Sequence, residues 1–204
     1  MDEIGLIVTH VDENGFVRFT RIGGVYARNL IGGRVRFLNG ALGVIGGEPM
    51  ENADKVHPFD KLFIDVGATS RDDCPVKVGD IAVFDRPLID LGDRLVAKAM
   101  DDRIAVAVLI EAMRQLNGSP HELIFVFTTQ EEVGTRGAIT AAYHINPDLG
   151  IAVDVTSTGD TPKSHRMEVG LGKGPAIKVH DTGTFADPRI VRWMVDTAER
   201  LDMP

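Results

Sequence analysis

The sequence contains a single cysteine and no long apolar run. Cys74 cannot form an internal disulfide, so nothing in the cysteine content favours an oxidising compartment. The longest apolar run, residues 104–110, is far too short to cross a bilayer. Met1-Asp2-Glu3 is acidic and lacks the basic and apolar regions of a signal peptide. We therefore expect a cytoplasmic protein with no membrane partner.

Basic and aromatic residues are also scarce. The 22 Lys and Arg residues face 30 Asp and Glu residues, which gives a net charge of -8. No basic run is long enough to follow a phosphate backbone, so a nucleic-acid partner is not expected. Hydrophobic residues make up 44% of the chain, which is enough to build a core in one large domain or two small ones.

Up to about residue 93, short β-type runs alternate with turn signals. The predicted strands are residues 6–11, 16–21, 34–38, 42–45, 61–66 and 80–84. Asn14-Gly15 and Asn39-Gly40 supply the positive φ that a tight hairpin turn requires. Glycine pairs at 23–24, 32–33 and 46–47 suit the corners of a small closed sheet. This half predicts a β-barrel or β-sandwich.

After about residue 95 the pattern changes to α/β. Asp101-Asp102 can cap a helix over residues 103–116, which is apolar on nearly every side and is therefore expected to be buried. Residues 123–129 and 150–155 are continuous apolar runs, as in central strands of a sheet covered on both faces. Asp187-Pro188 predicts the start of a last helix.

Acidic residues lie where these predicted elements begin or end. Asp101-Asp102 precede the helix, Glu131-Glu132 follow one strand, and Asp154 lies near the end of the next. Ligand sites collect outside the carboxyl ends of strands in open α/β sheets. Carboxylates gathered there repel one another unless cations share the site, which favours a divalent-metal centre. The alternative is that these acids are solvated loop residues and a helix cap.

The motif at residues 127–138, Phe-Thr-Thr-Gln-Glu-Glu-Val-Gly-Thr-Arg-Gly-Ala, resembles the central motif of a known family. This is the glutamyl-aminopeptidase/TET aminopeptidase family of co-catalytic metallopeptidases, which also carries the endoglucanase M label. Lys-Ala-Met-Asp-Asp-Arg at residues 98–103 is similar to its Leu-Asp-Asp-Arg segment. Further blocks match in order at residues 43–46, 65–67, 154–156, 160–162 and 172–175. The resemblance covers essentially the whole chain.

The resemblance implies a partial zinc-aminopeptidase-like α/β catalytic domain with an inserted all-β domain. The catalytic part would comprise residues 1–7 and 94–204, and the barrel-like dimerisation domain residues 8–93. Members of the family assemble through such dimers into large hollow tetrahedral particles. The resemblance therefore implies a homo-oligomer, built from dimers into a particle of up to twelve copies.

The same resemblance implies the roles of five residues. Asp101 resembles the carboxylate that bridges two divalent metal ions, with Glu132 a ligand of one ion and Asp154 of the other. Glu131 resembles the general base, which takes a proton from the attacking water and returns it to the leaving amine. Asp2 resembles the acid that orients the first histidine ligand. Zinc or cobalt is the expected metal, and peptides with a free N-terminus are the expected substrates.

The sequence departs from the family pattern at both ends. The family's first block reads Ala-His-Met-Asp-Glu, whereas this chain starts at the methionine, and the second histidine ligand lies in a block beyond Pro204. We therefore expect a chain truncated at both ends, which alone binds metal weakly and hydrolyses peptides poorly. We interpret the six histidines as surface or structural residues: His10, His57, His121, His144, His165 and His180.

Two other functions remain open at this point. A glycan hydrolase would need two carboxylates flanking a sugar cleft lined with aromatic rings. Aromatic residues make up only 6% of the chain, with one tryptophan, which argues against that function. A non-catalytic assembly module, in which only the β-domain dimerises, is the other alternative.

Overall fold

The computed structural model describes residues 3–52 and 54–204. The chain divides into two compact units, Met1–Asp154 and Val155–Pro204. Among the described residues, the first unit contains the eight strands and two α-helices, and the second contains the third α-helix. Within the described ranges, no helix is long and apolar enough to cross a membrane.

The first unit is built around a closed antiparallel barrel of six strands. The strands are β1 (Gly5–Val11), β2 (Val17–Ile22), β3 (Arg34–Phe37), β4 (Leu42–Gly47), β5 (Leu62–Asp65) and β6 (Ile81–Phe84). Their order around the barrel is β1-β2-β5-β4-β3-β6, and β6 pairs with β1 to close it. The barrel predicted from the turn-rich half of the sequence is thereby confirmed.

Local turn chemistry explains both predicted hairpins. Gly15 and Gly40 adopt φ values of 85° and 91°, the left-handed region that favours glycine. In the first turn, one carboxylate oxygen of Asp12 accepts hydrogen bonds from the backbone N–H groups of Asn14 (3.0 Å) and Phe16 (2.9 Å). This side chain replaces backbone partners that the turn cannot supply.

The core of the protein lies inside the barrel. Alternate residues of the barrel strands β3 and β5 point inward, as the two-residue period of a β-strand requires. The most deeply buried large side chains are Leu6, Leu30, Ile45, Leu62, Ile64, Val17 and Val35. Full burial of each such side chain stabilises the fold by about 1.5–3 kcal/mol.

Three helices follow the barrel: α1 (Met100–Gln115), α2 (Arg136–Ile145) and α3 (Pro188–Arg200). A minimal hairpin of β7 (Ile89–Asp90) and β8 (Leu95–Val96) precedes α1. The start predicted for α3 is confirmed, since the Asp187 carboxylate accepts the N–H of Arg189 at 2.8 Å and Pro188 is the first helical residue. Helix α2 was not predicted.

Two sequence predictions for this half of the chain are wrong in the structure. Helix α1 is not well buried: Ala105 is its one buried residue, while Val108 is half exposed. Residues 123–129 and 150–155 form no strand in the described part of the chain. A strand exists only where a neighbour satisfies its backbone groups, and no described segment pairs with these two.

Candidate active site

The first two candidate acids lie at the entrance to helix α1. Ala99 adopts a left-handed conformation (φ 54°, ψ 28°), and Asp101 and Asp102 have non-helical dihedral angles. The Asp102 carboxylate accepts the N–H of Ala105 at 3.2 Å and so caps the regular helix. The regular part of helix α1 therefore begins close to Arg103, as predicted, and both carboxylates lie at its N-terminal end, where the helix dipole favours negative charge.

The second acidic pair lies in a turn that leads into helix α2. Gln130, directly before the pair, has a left-handed φ of 60°. The backbone carbonyl of Glu131 accepts the N–H groups of Gly134 (2.9 Å) and Thr135 (3.0 Å). These bonds hold the backbone of Glu131 and Glu132 in a defined turn. The positions from which the two side chains extend are therefore fixed.

A cavity of about 110 Å³ is lined by both acidic pairs but not by Asp154. Its acidic lining residues are Asp101, Asp102, Glu131 and Glu132. Its apolar walls include Ala105 and Leu109 of helix α1 and Phe127. Val153, which directly precedes Asp154, also lines it. Residues far apart in sequence thus meet at one small cavity.

The electrostatics of this cavity oppose the ionisation of its aspartates. Burial raises the pKa of the Asp101 carboxyl, and the charge of Asp154 raises it further. Burial likewise raises the pKa of Asp102; the Ala105 N–H partly offsets this effect, and the charges of Asp154 and Asp101 add to it. Asp154 is therefore close enough for its charge to act on both aspartates. Excess negative charge of this kind is relieved by a cation.

The donor groups fit a divalent cation in kind, because hard carboxylate oxygens surround one cavity. Among residues 3–52 and 54–204, however, no three Asp, Glu, His or Cys side chains are close enough together to hold a metal ion. The structure thus contains a carboxylate-lined cavity rather than a formed metal centre. The predicted site residue Asp2 lies outside the described residues.

A second cavity, of about 400 Å³, shares Asp101 and Glu132 with the first. Glu3 and Lys98 also line it, and Glu3 forms ion pairs with both Lys98 and Arg103. The sequence prediction of the site missed these three residues. They could have been identified from the sequence, because they lie in the family-like motifs, close to predicted site residues.

The described histidines do not line either cavity. Nε2 of His57 lies 2.9 Å from the carbonyl oxygen of Glu48, and His180 packs edge-on against Phe185 at 5.8 Å between ring centroids. These two histidines thus make contacts within the fold, and the interpretation of all six as surface or structural residues stays a prediction.

Comparison with known proteins places the chain in a family. The family model for M42 glutamyl aminopeptidase matches residues 1–204. The chain belongs to the M42 glutamyl aminopeptidase family. The resemblance inferred from the 127–138 motif is thereby confirmed.

Several M42-like proteins are similar over the whole chain. Lysyl aminopeptidase of Pyrococcus furiosus is 34% identical, over 100% of this chain and 62% of its own length. Aminopeptidase APDkam598 from the archaeon Desulfurococcus kamchatkensis has 44% identity and a TM-score of 0.91, over 100% of this chain and 61% of that one. The TET1 peptidase of Pyrococcus horikoshii, which can assemble into a tetrahedron or a large octahedral shell, has 36% identity and a TM-score of 0.84, over 100% of this chain and 64% of that one. The chain thus spans about three fifths of the length of these relatives.

Proposed function

We propose that this chain provides most of the acidic site of a metal-dependent aminopeptidase. The observation that carries the proposal is the meeting of Asp101, Glu131 and Glu132 at one cavity, with Asp154 acting electrostatically on the same site. Membership of the M42 glutamyl aminopeptidase family supports the reaction class.

Each acid has a proposed task. Asp101, Glu132 and Asp154 would hold the cation or cations, because their carboxylates supply the oxygen ligands and the compensating charge. A divalent cation bound there supplies Lewis acidity and lowers the pKa of water. Glu131 would accept the proton of the attacking water and return it to the amine of the leaving peptide. Zinc and cobalt remain the metals to be tested first.

We also propose that the chain self-associates through its barrel. The relative that supports this is the TET1 peptidase of Pyrococcus horikoshii, which can assemble into a tetrahedron or a large octahedral shell. An antiparallel barrel can serve as a rigid dimer module without rearrangement of its core. The size of the assembly, which we predict to be built from dimers into a dodecamer, is measurable by light scattering.

The decisive experiment for the catalytic proposal combines cobalt titration with a panel of aminoacyl anilides. Asp101→Asn and Glu132→Gln should each weaken cobalt binding at least about 10-fold. Glu131→Gln should retain cobalt and lose whatever turnover the unmodified chain has. Glu111→Gln, on an exposed part of helix α1, is the matched control and should change neither.

Two results would overturn this proposal. If cobalt still binds after both Asp101 and Glu132 are replaced, the proposed metal site is wrong. Hydrolysis of a soluble cellulose instead of the anilides would favour the glycan-hydrolase alternative.

A further inference from the structure

A corner of the barrel touches the proposed metal ligand Glu132. The backbone N–H of Gly24, just after strand β2, donates a long hydrogen bond of 3.4 Å to Oε2 of Glu132, although 108 residues separate them. Gly24 and Glu132 also line the same 400 Å³ cavity. The barrel therefore reaches directly to a residue of the acidic site.

Two independent observations show that position 23, directly before this contact, requires glycine. Gly23 adopts a left-handed φ of 76°, which side chains rarely accept. A Cβ atom at this position would also lie 2.8 Å from Oε2 and 3.1 Å from Cβ of Glu132, and 2.8 Å from Cγ2 of Ile4. Any other residue at this position would displace the Glu132 side chain, the Ile4 side chain or the corner itself.

The corner is itself anchored to the barrel core. The N–H of Val25 donates to the carbonyl of Gly23 at 2.9 Å, which closes a tight turn. The Val25 side chain is only 2% exposed, and its carbonyl accepts a hydrogen bond from Arg21 at 3.3 Å. Because the turn is anchored in this way, the N–H group of Gly24 points toward the Glu132 carboxylate in a fixed direction.

We infer that the Gly23-Gly24 corner of the barrel positions the Glu132 carboxylate for cation binding. This inference rests on the proposed function for the identity of the ligand. A carboxylate has about four acceptor sites, so one backbone N–H can orient it while it still accepts a cation. Groups that orient a ligand commonly change metal affinity by about 10–100-fold when they are lost. The barrel would then contribute to the site as well as to assembly.

The test compares Gly23→Ala with Gly32→Ala. Gly32 is also in a barrel connection and has a φ of 77°, but a Cβ there meets nothing within 4 Å. The two positions have nearly the same positive φ, and only the Cβ at position 23 meets other atoms, those of Glu132 and Ile4. Cobalt titration of the whole chain, followed by its visible absorption spectrum, should show about 10-fold or greater weakening and an altered spectrum in Gly23→Ala alone. Equal affinities in the two variants would overturn the inference.

A second measurement needs neither bound metal nor peptidase activity. The backbone amide resonance of Gly24 in the metal-free chain should shift in Glu132→Gln, since its acceptor loses charge. The same resonance should not move in Glu122→Gln, an exposed control. An unchanged Gly24 resonance in Glu132→Gln would reject the positioning contact. Failure of the unmodified chain to bind cobalt would instead reject the proposed function, and the amide shift would still decide the contact.

Discussion

Nζ of Lys98 lies 3.3 Å from Oε2 of Glu3, a residue 95 positions earlier in the chain. The same oxygen is 3.6 Å from a guanidinium nitrogen of Arg103. The Glu3 side chain is only 19% exposed, so water screens these interactions less than it would at an open surface. One carboxylate thus ties the segment before the barrel to both sides of the Asp101-Asp102 pair.

Replacing Glu3 tests how much its ion pairs with Lys98 and Arg103 stabilise the fold. Glu3→Gln leaves two partly buried cations without their common partner, and we expect the free energy of unfolding to fall by about 1–2 kcal/mol. Glu111→Gln breaks a pair whose side chains are 56% and 75% exposed, and should cost less than about 0.5 kcal/mol. Urea unfolding of both variants measures the difference. Equal losses would mean that the Glu3 pairs are no stronger than surface pairs.

The barrel core makes a prediction that uses one substitution at two positions. Leu62 is fully buried in strand β5, whereas Leu38 is 79% exposed. Leu62→Ala should lower the free energy of unfolding by about 2–5 kcal/mol, because it removes apolar contacts and leaves a cavity. Leu38→Ala should change it by less than about 0.5 kcal/mol. Chemical denaturation followed by circular dichroism distinguishes the two, and similar values would argue against the closed core.

The Asp73 carboxylate predicts a dependence of stability on pH. Its hydrogen bonds from the Thr69 hydroxyl (2.8 Å), and from the backbone N–H groups of Ser70 and Thr69, lower the pKa of Asp73 to about 2. A depressed pKa stabilises the folded chain above the ordinary value of 3.8, and this contribution is lost as pH falls toward about 2.

Asp73→Asn should therefore destabilise the chain near neutral pH, and by less and less as pH falls from about 4 to about 2. Thermal unfolding across that pH range gives the comparison. Asp72→Asn, at the exposed neighbouring position, is the control for a change of net charge. A deficit in Asp73→Asn that stays constant with pH would show that the ionised carboxylate is not what stabilises the loop.

The left-handed backbone at Ala99 predicts that glycine is preferred there. A non-glycine residue in this conformation costs roughly 1–2 kcal/mol, while glycine costs about 0.5–1 kcal/mol in chain entropy. We expect Ala99→Gly to raise the free energy of unfolding by up to about 1 kcal/mol. Ala97→Gly, at a residue without positive φ, should lower it by about 0.5–1 kcal/mol. A loss of stability in both variants would contradict the strained entrance to helix α1.

The barrel could be predicted because its signals are local. Asn14-Gly15 and Asn39-Gly40 fix their turns within four residues, and the flanking runs alternate with the period of a strand. Residues 123–129 and 150–155 carry equally strong apolar signals, but a strand depends on a distant partner to accept its hydrogen bonds. The amino-acid composition of a segment indicates its preference for the β conformation, but it does not indicate whether a partner strand is present.

The candidate site shows the same division. Asp101 and Glu132 could be found because they lie in motifs that resemble a family. The contact between Gly24 and Glu132 could not, since it joins positions 108 residues apart and leaves no periodic trace in either segment. The pairing of Glu3 with Lys98 was missed for the same reason.

The pairing of Gly5 with Val83 places the first residue of β1 beside the penultimate residue of β6. The polypeptide therefore enters and leaves the barrel at one point. The pairing of β1 with β6 offsets the entropic cost of bringing the two ends of this segment together. A short bridge could replace the barrel without rerouting the chain on either side. The cost of such a replacement would lie in the lost contacts of the barrel, such as that of Gly24 with Glu132, and not in closing the chain.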